Sequence, residues 1–505
     1  MRKAIMAAFA VLWTAAAGAE PVGQFAEHAD VGEVSTPGTA TVADGVYRLT
    51  ASGANIWGSE DAFHYAWTQR SGDLHIAADI AFEAAGTDPH RKAGLMIRQN
   101  LTPGSPYADV MVHGDGLVSL QYREAQDGPT RQIVSAVTHA RRVRLEREGD
   151  FVYFSVAGAD GQLTHAGGSL RIPFQAPYLV GLALSAHNDA VTETATFANV
   201  ELAVPQLAYV PDTGYAARVE STLEVLDVGG IRDRRVVRHF DGKIEAPNWS
   251  RDGRELIYNS SGRIWRIPVA GGEPVAVDTG RFVDNNNDHG LSPDGRQLVI
   301  SDQIEPDNLS RIHLVTLDGS APIRTVVDDA AARSYWHGWT PDGATLAYVR
   351  VGLGDGSYDI WAQDVAGGAP RPLVVGPGVD DGPEYSPDGR HLYFNSTRSG
   401  AMALWRANAD GSEPVQLTHD PARRDWFAHA SPDGKWLAYI SFGDDIALED
   451  HPPNREDVQL RLMPADGSAP PVILARVFGG QGTINVPSWS PDGRSIAFVS
   501  YRLKR

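Results

Sequence analysis

Ser292-Pro293-Asp294-Gly295 is the stretch whose reading decides the fold, because close variants of it start at Ser250, Thr340, Ser386, Ser431 and Ser490. Successive copies lie 42, 48, 46, 45 and 59 residues apart, a spacing that suits one four-stranded propeller blade per copy. The residue types explain the turn. Proline presets φ at the first central position, aspartate bonds nearby backbone amides, and glycine takes the positive φ that side chains resist. Each copy is followed by a short alternating run, such as Gln297-Leu298-Val299-Ile300 or His391-Leu392-Tyr393-Phe394, which reads as the second strand of a hairpin.

A second turn recurs between copies: Gly229-Gly230, Gly271-Gly272, Asp318-Gly319, Gly367-Gly368, Asp410-Gly411 and Asp466-Gly467. The first of these precedes the first motif copy, and the last motif copy is followed by one strand and the chain end. The ends are therefore complementary. Outer strands from about 221–240 are expected to join inner strands from about 485–502, zipping six blades into a ring without open edges.

Outside the repeats, Arg2 and Lys3 precede the apolar run Ala4–Trp13 and then Ala17-Gly18-Ala19, so residues 1–19 read as an export signal. With no cysteine, the chain has no lipid-anchored thiol and no disulfide chemistry. No later run has the length of a membrane span. The expectation is a periplasmic or secreted monomer. The net charge of −19 disfavours nucleic acid, and Gly 52 with Pro 32 suits a turn-rich all-β chain.

Residues 20–205 lack the repeat and carry short alternating runs, such as Phe151-Val152-Tyr153-Phe154-Ser155-Val156, between turn clusters. They read as a β-sandwich of jelly-roll type; 206–219 read as a linker and 220–505 as the propeller. The stretches Ser52–Gly58, Asp61–Tyr65, Ser71-Gly72-Asp73 and Lys92–Arg98 resemble concanavalin/laminin-G-like sandwiches, a resemblance that implies either a glycan-binding or a spacer role. Trp57, Phe63 and Met96 read as core, and Arg98 as a ligand clamp or the partner of Asp61 or Asp73. The repeats, with Trp489-Ser490-Pro491-Asp492-Gly493, resemble the TolB-like six-bladed propellers with PD40/WD40-like repeats.

The repeated aspartates read as turn formers, so candidate site residues are sought on the face opposite those turns. His289 and His337 stand three residues before their motif copies; His429 and Glu384 stand two before theirs. These positions open the inner strands, and His289, His337 and His429 are expected to meet at the channel mouth as ligands of a divalent metal (Mn, Zn or Ca), with Glu384 or Gln481 as an oxygen ligand. The alternative is separate loop histidines in hydrogen bonds.

The pattern also resembles the oligogalacturonate-lyase type of propeller, which implies a polysaccharide lyase, or more broadly a glycoside hydrolase. On that resemblance His429, His451 and Glu384 are catalytic candidates, while Arg398, Arg455 and Asn454 would hold a sugar acid. Trp336 and Trp426 would stack on sugar faces. The competing class is a non-catalytic scaffold docking an envelope protein.

Overall fold

The computed structural model describes residues 21–205, 218–230, 232–304, 307–452 and 454–504. The expected export signal and most of the expected linker lie outside the described residues. No helix among those described is long and apolar enough to cross a membrane.

The turns form as their residues dictate. In the copy at 292, the Ser292 hydroxyl donates to Asp294 Oδ1 (2.6 Å), which also accepts the Arg296 amide (3.0 Å), and Gly295 turns with φ 71°. Ser292 Oγ in turn accepts the Gln297 amide, which starts the next strand. The same set recurs at Ser386, Ser431 and Ser490. These bonds hold the carboxyls of Asp294, Asp388 and Asp492 below the usual range. They are turn formers.

The turns also touch one another in sequence around the axis. A Cβ placed on Gly343 would sit 3.5 Å from Pro293, one on Gly389 3.6 Å from Pro341, one on Gly434 4.0 Å from Pro387, and one on Gly493 3.5 Å from Pro432. Gly253 faces Pro491 across the chain ends, and Gly295 faces Arg251, which stands where the other copies have proline. Arg251 makes up for the lost contact by donating to the carbonyls of Ser292 (3.0 Å) and Leu291 (2.8 Å). The motif turns thus close a ring.

Five blades are four-stranded antiparallel sheets, built in order from Glu245–Ala276, Asn285–Val327, Ala332–Val374, Asp380–Gln416 and Arg423–Gly479. Six such blades were expected; five are present. The remaining propeller strands pair as foreseen, with Val219–Asp227 antiparallel to Ser495–Leu503 from Val219↔Leu503 to Asp227↔Ser495. Yet they do not form a separate blade. Arg234–Phe240 pairs in parallel with Arg131–Val134 of the N-terminal part, so the closing strands belong to an 11-stranded sheet shared by both halves of the chain.

The rest of that sheet, through Glu60–Arg70, Tyr178–Ser185, Lys92–Arg98, Tyr107–His113 and Val118–Arg123, packs against an 8-stranded sheet around one apolar core that includes Leu49, Ile76, Leu95, Val110, Leu120, Phe154 and Phe197. Phe63 and Met96 are buried as expected, while Trp57 is half-buried beneath the Lys92 ammonium. Arg98 is no ligand clamp. It is fully buried against Asp61, which also takes Arg123 at 2.8 Å. A further apolar cluster joins Phe151 and Tyr153 to Val219, Leu223, Phe478 and Tyr501, welding the two parts.

Candidate functional site

The inner strands of all five blades carry a bulge, between Glu245/Asn248, Asn285/His289, Trp336/Gly338, Asp381/Glu384 and Trp426/His429. A bulge bends its strand and re-aims the side chains around it. After the bulge, alternation sends neighbouring residues to opposite sides. The positions two before each motif are Asn248, Gly290, Gly338, Glu384, His429 and Ser488, and the channel groups Asn248, Glu384 and His429 share this slot. His289, one residue earlier, is turned elsewhere.

Two polar tiers result. In the lower, His429 donates through Nδ1 to Glu384 Oε2 (2.7 Å), its Nε2 lies 3.3 Å from the Ile484 carbonyl, and Glu384 Oε1 accepts the Ala430 amide (2.9 Å). In the upper, His337 Nε2 lies 3.2 Å from Asp381 and 3.8 Å from Asp288, which also accepts the side-chain amides of Asn286 (2.6 Å) and Asn485 (2.9 Å). Burial opposes charge on His337, but Asp288 and then Asp381 outweigh it and raise its pKa. Burial pushes the Asp288 carboxyl up to about 6, against the pull of His337. Burial, then Asp381, drives the Tyr358 phenol well above its usual range.

The expected three-histidine metal centre is not formed. His289 is fully buried with Nδ1 3.1 Å from its own loop carbonyl, Asn287, and burial lowers its pKa to about 4. His337 and His429 answer to different carboxylates. Among the described residues, no group of three or more histidine and carboxylate side chains is arranged to hold an ion, so the residues present do not fit a divalent metal.

Other expected ligand contacts are corrected too. Trp336 and Trp426 cannot stack on a sugar, being 1% and 0% exposed; Trp426 instead packs flat on His451 at 4.3 Å. His451 is therefore walled in, and burial lowers its pKa despite Asp381. Arg398 is bound to Asp380 (2.8 Å) and lies over Phe394 and Trp405. Gln481 is half-buried, its backbone amide tying the 481 turn to the Pro452 carbonyl. Asn454 and Arg455 lie away from the channel, in a cleft against the N-terminal domain.

The open space at the axis is on the other face. Between the motif turns lies a cavity of about 310 Å³, lined by Trp249, Trp339, Trp489 and Tyr385, by the motif prolines, and by Asn248 and Glu384 at its floor. This is the concave, mainly apolar form that ligand sites take. Trp249 and Trp489 donate their indole N–H to the carbonyls of Ser488 and His429, both at 2.9 Å. The Trp339 indole N–H and both amide atoms of Asn248 have no partner among the described residues. In the sequence, this wall is signalled by the aromatic residue that precedes four of the six motif copies, and Asn248 carries no such signal.

A propeller closed by pairing its two ends, with Ser/Thr-x-Asp-Gly turns round the axis, defines the TolB-like class of β-propeller. Residues 324–450 match the family described as PD40, the TolB beta propeller domain. The chain is 43% identical over 290 residues to "Uncharacterized protein Atu1656" of Agrobacterium fabrum, spanning 57% of this chain and 95% of that protein. It therefore belongs to that family of TolB-like propellers. A solved structure titled "The structure of putative TolB from Agrobacterium tumefaciens" is 42% identical, with TM-score 0.52 over 56% of this chain and 99% of its own. The "Tol-Pal system protein TolB" of Francisella tularensis is 24% identical, and the matched region spans 57% of this chain and only 63% of that protein.

Proposed function

We propose that this chain is a non-catalytic binding propeller of the TolB type, exported to the cell envelope through residues 1–19, and that it takes a segment of an envelope protein into the funnel between its motif turns. The observation that carries this is the unpartnered polarity at the funnel wall, the Asn248 amide and Trp339 N–H, among tryptophans and prolines with Arg251 and Glu384 beside them. Buried polar groups are normally satisfied, so these await a partner that supplies an acceptor and a donor. Deeper in the channel His429 is bonded to Glu384 and His337 to Asp381, which suits a rigid scaffold better than a general base in need of a substrate proton.

On this reading residues 20–205 are a concanavalin-like sandwich, 206–219 the connection and 220–505 the propeller, the chain acting as a monomer. A glycan is the second reading, favoured by the tryptophan faces in the same funnel. Tryptophan fluorescence of the full chain, titrated with the Pal component of the same bacterium's Tol-Pal system and separately with a glycan panel, tests both. A saturable change with Pal that Trp339→Ala abolishes supports the scaffold. Silence with Pal alongside saturation by a glycan overturns it.

A further inference from the structure

We propose a second site, for a neutral saccharide, in the seam between the two domains. A cleft of about 790 Å³ there is lined by Arg171 of the N-terminal domain and by Arg423, Asp444, Asn454, Glu456 and Phe478 of the propeller. It lies beside the long hairpin between Gly443 and Arg455, on the face opposite the funnel, and is a site distinct from the one proposed above.

The walls are fixed by an ion network that joins the domains. Arg171 reaches Asp457 Oδ1 at 3.2 Å and Arg423 reaches Asp457 Oδ2 at 2.7 Å, so one carboxylate is held from both sides. Arg423 further donates to the Ser441 hydroxyl and carbonyl, and Arg171 to Asp150. Arg455 is paired with Asp445. Planar groups held in networks of this kind keep their positions whether or not a ligand is bound.

The groups left over select the ligand. Among the described residues, the carboxylates of Asp444 and Glu456 have no ion-pair or hydrogen-bond partner, and neither amide atom of Asn454 is bonded. The three arginines are all engaged, so an anion would meet free carboxylates and no free cation. The free set consists of acceptors plus one amide that both donates and accepts. Hydroxyl-rich, uncharged molecules match it: sugar hydroxyls donate to Asp444, Glu456 and the Asn454 side-chain carbonyl, and a sugar oxygen accepts from the Asn454 amide. Because Arg171 forms one wall, the site exists only in the two-domain chain.

The test screens the full chain on an array of short neutral hexose and N-acetylhexosamine oligomers, followed by titration calorimetry with maltotriose and chitotriose. Retention on the array is expected, with about tenfold weaker binding for Asn454→Ala and for Glu456→Gln, one hydrogen bond to a charged or buried group each. Asn248→Ala in the funnel should leave it unchanged. Neither cleft position makes a side-chain bond that the fold needs, so unchanged melting of both variants serves as the folding control. An array that retains nothing, binding that survives both cleft variants, or binding lost with Asn248→Ala overturns the proposal.

Discussion

The two ends of the propeller channel differ in a way that reverses the usual expectation for repeat proteins. The end built from unlike blade-to-blade loops links Asp288, His337, Asp381 and Asn485 through one another, and His451 is packed onto Trp426. The end built from near-identical turns holds the open funnel, with the Asn248 amide and the Trp339 N–H unpartnered in its wall. Variation along the chain has here been used to plug one mouth. Repetition leaves the other open because each motif proline serves both its own turn and the funnel wall. The rigid plug and the open funnel make different demands on their residues, and mutations should separate them.

The largest effect is expected from the ring itself, on which both ends depend. Deleting residues 495–504 removes the strand that pairs along the whole of Val219–Asp227 and strips Glu224 of its bond from Ser500. Val219–Asp227 would become an unpaired edge of the 11-stranded sheet. Loss of soluble monomer on size-exclusion chromatography is expected. A truncated monomer with unchanged melting temperature would show that closure contributes nothing.

Next in size is Glu384→Ala, which leaves the buried His429 ring and the Ala430 amide without their acceptor. Orphaned buried donors cost roughly 1–3 kcal/mol, so urea unfolding should show about 2 kcal/mol of destabilisation with unchanged m-value. Asp294 and Asp388 variants should lose stability as well and, because their turns carry the funnel-wall prolines Pro293 and Pro387, weaken the funnel ligand too. Stability equal to wild type in Glu384→Ala would mean that this tier is not a structural plug.

A smaller effect separates the plug from the domain seam by pH. His337 has a raised pKa in the fold, so its contribution is complete below about pH 6.5 and fades as pH rises through the folded value. The seam behaves oppositely. His165 and His239 stack edge-on at 4.9 Å, and burial lowers both, His239 to about 4. Arg502 adds to the lowering on each; Tyr153 lies against His165, and Asp241 raises His239 without reversing the shift. Their contribution is complete above about pH 6.5 and is lost as pH falls toward 4. Melting curves of His337→Gln should therefore converge on wild type above neutrality, and those of His239→Gln should diverge favourably from it in acid. Parallel curves across the range would refute both assignments.

How much of this was legible in the sequence depends on the range over which each feature is encoded. The turns are local, set by four residues, and Ser292 to Gly295 were read correctly down to the role of Asp294. End-to-end closure was also legible, since a missing half-blade at one terminus matched a surplus at the other. The five-blade count was not, because fusion of the closing strands depends on Ile133 meeting Arg234 in a parallel pair about a hundred residues away, with no local signature. Side-chain direction was lost for a different reason. His289 and His429 were treated as equivalent although they stand three and two residues before their motifs, and one residue in a strand reverses the side to which a side chain points. The bulge at Trp336/Gly338 then let His337 face Asp381 against that rule.

The smallest expected effect on stability is the most informative about function. Asn248 is buried, and neither its amide nitrogen nor its oxygen has a partner among the described residues, whereas its counterpart Glu384, in the same slot three blades on, is fully bonded. Replacing an unsatisfied buried amide by a methyl group removes a desolvation cost that no hydrogen bond offsets. Asn248→Ala should therefore be neutral or more stable by up to about 1 kcal/mol in urea unfolding. Stability gained by removing a polar group at a funnel wall is the mark of a residue kept for binding, as strain and unmet polarity are retained where a ligand relieves them. The same variant should weaken the funnel ligand by about tenfold, the value of one or two hydrogen bonds in a dry pocket. Destabilisation by more than about 1 kcal/mol would place Asn248 with Glu384 as a structural residue, and the two ends of the channel would then be alike.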